Sequence, residues 1–273
     1  MKPILFHVFD FGLPSYSVMM AVGYLMALFS LWLTVRRYDA AGGSGLSWPQ
    51  VFDLWIVMVV ASLMGSKAAH VLFEAAGHID EAGRPIGGLV ELLKSDPWHW
   101  ARLGEGGFVW YGGLIGALLT AVVYFRNRPH LNGWLYTDAF TPAIILGLGF
   151  GRIGCFLAGC CFGVPTESAL GVRFPQHAGP VHPTQLYEAA VAFLLFAFLW
   201  WKLPRRRFDG ESIGLMLALY AIPRSLIELL RGDADRGSLG PLSTSQIISI
   251  PLFLIGVVIV WRGHARASGS MGT

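Results

Sequence analysis

The chain has 273 residues, of which 54% are hydrophobic and only 14% are charged. Soluble domains carry about a quarter of their residues as charged ones, so this composition excludes an ordinary soluble globular protein. The formal net charge of +3 says little by itself. We expect no nucleic-acid partner. Ten Trp and 34 Gly are typical of a membrane protein, because aromatic rings favour the headgroup level and small residues let helices approach closely. The composition therefore predicts an all-α, polytopic membrane protein.

Seven apolar segments are long enough to cross a bilayer, which takes about 20 mainly apolar residues. We predict spans at 16–35, 51–73, 108–125, 137–158, 185–201, 212–230 and 247–261. They form one transmembrane domain over 1–262, with insertions at 77–105 and 163–183 and a disordered tail at 263–273. Four prolines in the second insertion argue against a helix there.

Basic residues concentrate at alternate ends of these spans, in the segments 36–37, 126–128, 202–207 and 262–266. Lysine and arginine near span ends favour the cytoplasmic side of a membrane. The pattern predicts an N-terminus outside the cell and a cytoplasmic C-terminus, with both long insertions on the outer face.

Several ionisable residues interrupt the apolar segments: Lys67, His70, Arg152, Arg224 and Glu228. Each charge near the bilayer centre costs about 2.5 to 3.5 kcal/mol, so such residues usually mark function. Arg224 and Glu228 are four residues apart and are expected to form an ion pair on one helix face. Arg152 and Lys67 have no assigned acid. This excess of cations indicates an anionic ligand, and an arginine pair suits a lipid phosphate.

Two motifs accompany these charges. Gly151 and Gly154 lie beside Arg152, where they let neighbouring backbone come close to it, serve small-residue helix packing, or do both. The run from His182 to Glu188 opens the fifth span, where Pro183 suits a first helical turn and Glu188 complements the helix dipole. His182 is interpreted first as a structural hydrogen-bonding residue and second as a proton carrier.

The three cysteines, Cys155, Cys160 and Cys161, have three interpretations: a redox centre, a metal site or small apolar fillers. Metal signatures usually show paired spacings with further ligands, so we favour fillers and predict no metal. A disulfide would need Cys155 as one partner, because a bond between adjacent cysteines is strained.

The run from Gly151 to Gly163, GRIGCFLAGCCFG, resembles the signature of the prolipoprotein diacylglyceryl transferase family. The other motifs follow the family's order, and weaker similarity begins at Tyr16, so the resemblance covers nearly the whole chain. These motifs are the glycine run at 112–116, the His182 to Glu188 motif, the group Tyr220, Arg224, Glu228 and Arg231, and the segment 245–251.

The resemblance implies transfer of a diacylglyceryl group from phosphatidylglycerol to the lipobox cysteine of a preprolipoprotein signal peptide. It implies a bacterial cytoplasmic membrane, the lipid bilayer as setting, and no cofactor. The family's essential arginines fall on Arg152 and Arg224. The remaining residues implied for substrate binding are Tyr16, Gly112, Gly113, Gly163, Tyr220, Glu228 and Arg231.

The sequence departs from the usual family pattern and resembles a variant branch with a cysteine-rich signature. Tyr111 stands where the family usually has the histidine proposed as general base. The substituted positions elsewhere are Cys155 for Asn, Cys160 for Glu, and Lys67 and His70 for Arg and Tyr. The candidates for accepting the thiol proton are therefore Tyr111, His70 and His182.

The alternative function is a non-catalytic relative that binds anionic lipid. A transporter of anionic solutes ranks lower, because no inverted repeat is visible. An intramembrane hydrolase ranks last, because no motif brings a nucleophile and a base together.

Overall fold

The computed structural model describes residues 2–8, 11–43, 45–77, 109–232, 238–239 and 242–269. These residues form seven α-helices, a short 3-10 helix at Leu203–Arg205 and three antiparallel two-stranded ribbons. The helices are α1 (Ser15–Ala40), α2 (Trp48–Gly77), α3 (Trp110–Arg126), α4 (Gly133–Ala158), α5 (Thr184–Lys202), α6 (Glu211–Glu228) and α7 (Thr244–Gly269). The ribbons pair β1 (Ile4–Val8) with β2 (Phe11–Pro14), β3 (Val172–Arg173) with β4 (Pro180–Val181), and β5 (Ser238–Leu239) with β6 (Leu242–Ser243).

Five of these helices, α1, α2, α4, α5 and α7, are long and apolar enough to cross a membrane. Helix α3 is apolar but has 17 residues, and α6 has 18 residues that include Glu211, Arg224 and Glu228. Each of the seven predicted spans overlaps one helix. Backbone N–H and C=O groups inside a bilayer have no water to bind, and a helix pairs these groups with one another. The predicted class, an all-α polytopic membrane protein, is confirmed.

Two predicted segment boundaries differ from the structure. The tail predicted as disordered is helical up to Gly269, so that prediction is wrong over 263–269, and residues 270–273 lie outside the described part. The extra turns are held by His264, whose Nε2 lies 3.8 Å from Glu211 Oε1 on α6. Such a contact between two helices is invisible in the sequence of the tail alone.

The structure describes one of the two predicted insertions and only the first residue of the other. The segment 163–183 contains no helix and carries the β3–β4 ribbon, as its prolines predict. Of the insertion 77–105, only residue 77 is described, at the end of α2.

The chain divides into two compact units, Met1–Leu46 with Gly133–Thr273, and Ser47–Asn132. In the first unit α1 packs on α4, α4 on α5 and α6, α5 on α6, and α6 on α7. Its core includes Ile145 from α4 with Ala192, Leu195 and Leu199 from α5. The single transmembrane domain over 1–262 stays a prediction.

In the second unit, α2 and α3 touch through glycine. A Cβ atom on Gly112 would lie 2.3 Å from the carbonyl oxygen of Gly65, and one on Gly116 would lie 2.4 Å from that of Ala61. The four-residue spacing on both helices places these small residues on matching faces. This part of the glycine run therefore permits close helix packing.

A buried acid fixes the start of α6, the helix that carries Arg224. Asp138 on α4 is fully buried, and its carboxylate accepts backbone N–H bonds from Gly210, Ser212 and Ile213 at 2.8, 3.0 and 3.2 Å. A carboxylate at a helix N-terminus satisfies donors that have no partner within the helix and complements the helix dipole. Asp138 interrupts the predicted fourth span, but its partners on α6 are far away in the sequence and do not follow from it.

We expect Asp138→Ala to lower the free energy of unfolding by about 2–3 kcal/mol, because three N–H groups lose a charged acceptor. The matched control is Asp209→Ala, which removes an exposed carboxylate 2.9 Å from Arg206 and is expected to cost less than about 1 kcal/mol. Denaturant titration of both variants in the same detergent measures the difference. Equal losses would show that Asp138 does not anchor α6.

Candidate active site

Arg152 and Arg224, from different helices, converge on one carboxylate. Glu188 of α5 has no exposed surface, and its Oε1 lies 3.0 Å from Arg152 Nη2 and 3.8 Å from Arg224 Nε. The Tyr220 hydroxyl donates a hydrogen bond to the same oxygen at 2.5 Å. The two arginines that the sequence singled out therefore lie side by side.

Arg224 has further partners. Its Nη1 lies 2.6 Å from Glu228 Oε2, which confirms the predicted ion pair, and its Nη2 donates to the Ser245 hydroxyl at 2.6 Å. All three guanidinium nitrogens of Arg224 thus face an acceptor. Ser245 begins the 245–251 motif at the start of α7, but its contact with Arg224 on another helix does not follow from the sequence pattern.

Glu188 corrects the sequence interpretation in two ways. It lies beyond the first turn of α5, so its role is not that of a helix-dipole partner. It also provides the acid that Arg152 was thought to lack, and with Glu228 it balances the two arginines, so the excess of cations does not hold for this pair. Its fully buried neighbours Thr184 and Gln185 share this end of α5, and that polar stripe on an apolar helix was the available signal.

Arg152 keeps one donor unused. Its Nε and the Glu188 Oε2 are buried and have no hydrogen-bond partner among the described residues. A buried charged group without its full set of hydrogen bonds is costly, and such an atom calls for a ligand or water. Arg152 is therefore the arginine of the pair with capacity for an anion.

The motif that opens α5 holds the loop after α4. The Thr184 hydroxyl donates to the carbonyl of Cys161 at 2.9 Å, and the Gln185 amide donates to that of Cys160 at 2.5 Å. His182 Nδ1 lies 3.1 Å from the Tyr187 hydroxyl, in agreement with its interpretation as a hydrogen-bonding residue.

Gly163 lies where three segments of the first unit meet. Its N–H donates to the carbonyl of His182, and its neighbour Val164 donates to that of Leu230. A Cβ atom on Gly163 would lie 2.4 Å from the Leu230 carbonyl oxygen, so no other residue fits without a shift of the backbone. Gly163 also forms a bridge with Arg231, which places both predicted site residues beside the end of α6.

The glycines beside Arg152 face α1. A Cβ atom on Gly154 would lie 3.3 Å from Tyr16 Cδ2, and one on Gly151 would lie 3.3 Å from Met20 Sδ. The helix-packing alternative for these glycines is thereby supported. It also places Tyr16, whose side chain is partly exposed, against the helix that carries Arg152.

The three cysteines lie together as free thiols, and their sulfur atoms are all within 4.8 Å of one another. Cys155 is buried, but Cys160 is exposed, so the filler interpretation is wrong for Cys160. The three cysteines are unevenly spaced along the chain. Their sulfur atoms lie close together because the loop folds back at Gly159. Hydrogen bonds from the thiols of Cys155 and Cys160, and from Arg231, lower the pKa of Cys161 from its ordinary value.

The other predicted site residues belong to the second unit. Lys67 is buried at 4% exposure, Tyr111 is 44% exposed, and His70 is partly buried. A Cβ atom on Gly113 would lie 2.9 Å from the hydroxyl oxygen of Ser62. For Tyr111, His70, Gly112 and Gly113, a part in the reaction stays a prediction.

The helices and the cluster define a class of protein: a multi-pass membrane protein with an arginine–carboxylate network at one end of its helices. The family model for prolipoprotein diacylglyceryl transferase matches residues 3–262. The chain belongs to this family.

Similar proteins carry the same name. The phosphatidylglycerol–prolipoprotein diacylglyceryl transferase of Clostridium tetani is 33% identical over 264 residues, which cover 95% of this chain and 96% of the relative. The second such transferase of Clostridium perfringens is 33% identical over 95% of this chain and 94% of its own length. The Aeromonas hydrophila enzyme is 31% identical over 97% of this chain and 91% of its own length.

We expect Gly163→Ala to destabilise the fold by about 1–3 kcal/mol, because the added methyl overlaps a backbone carbonyl. Gly179→Ala is the matched control in the same loop, since a Cβ atom there would meet nothing within 4 Å. Thermal unfolding in detergent compares the two variants. A Gly163→Ala variant as stable as Gly179→Ala would contradict the packing role assigned to Gly163.

Proposed function

We propose that this chain transfers the diacylglyceryl group of phosphatidylglycerol to the lipobox cysteine thiol of a prolipoprotein signal peptide. The observation that carries the proposal is the convergence of Arg152 and Arg224 on one oxygen of Glu188. Membership of the family supports the overall reaction. The roles assigned to single residues rest on the geometry of the cluster.

Arg152 is the residue that grips the lipid phosphate. Its unpartnered Nε leaves a guanidinium donor for a phosphate oxygen, whereas the three nitrogens of Arg224 already face Glu188, Glu228 and Ser245. Guanidinium groups bind phosphate through parallel N–H bonds that are strongest where water is excluded. Arg224 is held rigid by its partners and supplies a fixed positive charge next to Arg152.

The reaction forms one bond and breaks one. The thiolate sulfur of the peptide attacks the glyceryl carbon that bears the phosphate, the C–O bond to phosphate breaks, and glycerol 1-phosphate leaves with the electron pair. The product is a thioether. Negative charge grows on the departing phosphoryl oxygen, and preorganised positive groups lower the energy of that transition state.

The thiol proton needs an acceptor, and a free cysteine pKa of about 8.5 means that modest help suffices. Tyr111, His70 and His182 are the candidates. Histidine has the better-matched pKa near neutral pH. The ring of His182 is positioned by Tyr187, which leaves its Nε2 as the atom that would take the proton.

The second candidate function is a lipid-binding relative without catalysis. Tyr111 favours it, because a tyrosine replaces the histidine usual in the family at this position. A bound phospholipid without thioether product separates this function from the transferase.

We place the protein in the bacterial cytoplasmic membrane, with the N-terminus outside and the C-terminus in the cytoplasm. Arg152, Glu188, Arg224 and Ser245 all lie near helix ends that adjoin the loops predicted to face outward. A signal peptide emerging on that face would reach the cluster without crossing the bilayer again.

The proposal is tested with phosphatidylglycerol and a lipobox peptide, by measuring kcat/KM for thioether formation. We expect Arg152→Ala to lower kcat/KM by about 100-fold or more, because a charge-stabilising group is lost from the transition state. Arg152→Lys keeps the charge but loses the planar fork, and we expect a loss of at least about tenfold.

Arg173→Ala is the control, because Arg173 is an exposed arginine in the 163–183 loop. It is expected to keep full activity. Since Arg152→Ala removes the guanidinium nearest to the buried Glu188, gel filtration of each variant must show a folded protein before the rates are compared. A folded Arg152→Lys variant with wild-type kcat/KM would refute the role proposed for Arg152.

A further inference from the structure

The proposed transferase reaction assigns no role to the three thiols of this protein. Cys155, Cys160 and Cys161 are the only three cysteines in the sequence, and all of them lie in one cluster. They stem from the last turn of α4 and the loop that follows it. A metal ion held by three thiolates at about 2.3 Å would place the sulfur atoms about 4 Å apart. The observed separations of up to 4.8 Å need only a small inward movement of the side chains.

Two residues with left-handed backbone conformations bring these thiols together. Gly159 has a φ of 79°, and Cys161 has a φ of 65°, the one positive value for a residue other than glycine in the described chain. A left-handed conformation costs such a residue about 1 kcal/mol, which the surrounding contacts must offset. Thr184 and Gln185 supply those contacts by binding the carbonyls of Cys161 and Cys160. The loop therefore holds the thiols together at a conformational cost.

Two arginine side chains interact with the thiol cluster. The Arg152 guanidinium interacts electrostatically with Cys155 and Cys161, and the Arg231 side chain hydrogen-bonds to Cys161. These two contacts place positive charge beside the thiols, and metal ions bind cysteine in its thiolate form.

We propose that Cys155, Cys160 and Cys161 form a three-coordinate thiolate site for a soft monovalent metal ion, Cu(I). Thiolate ligands select soft metals, and the described residues place no histidine or carboxylate in the same cluster as a fourth ligand. Structural zinc sites use four protein ligands, so zinc fits less well. Exposed Cys160 gives the ion access, and buried Cys155 shields it from water.

The test is a titration of the reduced, full-length protein in detergent under anaerobic conditions, with Cu(I) delivered from a competing chelator. We expect one Cu(I) per chain, with three sulfur neighbours by X-ray absorption spectroscopy, and binding at least tenfold tighter than for Zn(II). Cys160→Ser should weaken Cu(I) binding by about 100-fold or more, since even outer-shell changes cost 10–100-fold. The triple Cys155→Ser, Cys160→Ser, Cys161→Ser variant should lose the site.

His177→Ala is the control, because it removes a potential ligand from the same loop outside the thiol cluster, and its Cu(I) stoichiometry should be unchanged. Gel filtration verifies that each variant is folded, and Cys160→Ser changes an exposed side chain, which keeps the test valid if the triple variant unfolds. Absence of saturable Cu(I) binding, unaltered binding in Cys160→Ser, tighter binding of Zn(II), or a disulfide within the cluster of the protein as isolated would each overturn the proposal. The readout is metal stoichiometry, so its failure is separate from a failure of the transferase activity.

Discussion

One shared carboxylate holds three helices of the first unit together in an apolar setting. Glu188 carries a charge with no exposed surface, and it is tolerated because Arg152, Arg224 and Tyr220 surround one of its oxygens. These partners come from α4 and α6, whereas Glu188 lies on α5, so the interaction ties three helices together at one end. Removing one member of a buried ion pair leaves an uncompensated charge, which typically costs about 3–5 kcal/mol. The cluster is therefore both a structural lock and a preorganised electrostatic site.

The loop after α4 is held in place at the same end of these three helices. Thr184 and Gln185 precede Glu188 on α5 and fix the cysteine carbonyls, and Gly163 lets that loop lie against the end of α6. Arg152 forms an ion pair with Glu188 and also interacts electrostatically with Cys155 and Cys161. A change in the charge of the thiol cluster would therefore change the electrostatic potential at the Arg152 guanidinium, which is proposed to bind phosphate. This arrangement gives a physical reason for a cysteine-rich signature to occur beside Arg152.

The sequence predicted the helices well because long apolar segments leave few alternatives in a membrane. It also selected Arg152, Arg224 and Glu228, since the cost of a buried charge can be read without coordinates. It assigned Glu188 to helix capping and omitted Asp138, because each acid finds its partners on another helix. Contacts along one helix, such as Arg224 with Glu228, follow from spacing, whereas contacts between helices depend on rotation and packing that a single sequence does not specify. For the three cysteines the sequence left three interpretations open, because their proximity depends on the left-handed Gly159 and Cys161, which reverse the loop.

We propose that this cluster holds a phospholipid through its phosphate, with Arg152 as the binding residue. Native mass spectrometry of the purified protein can measure this by counting retained phosphatidylglycerol against diacylglycerol, which has the same chains and no phosphate. We expect wild type and Arg173→Lys to retain one phosphatidylglycerol, Arg152→Lys to retain about tenfold less, and diacylglycerol retention to be the same in all three. Equal retention of phosphatidylglycerol by wild type and Arg152→Lys would contradict it.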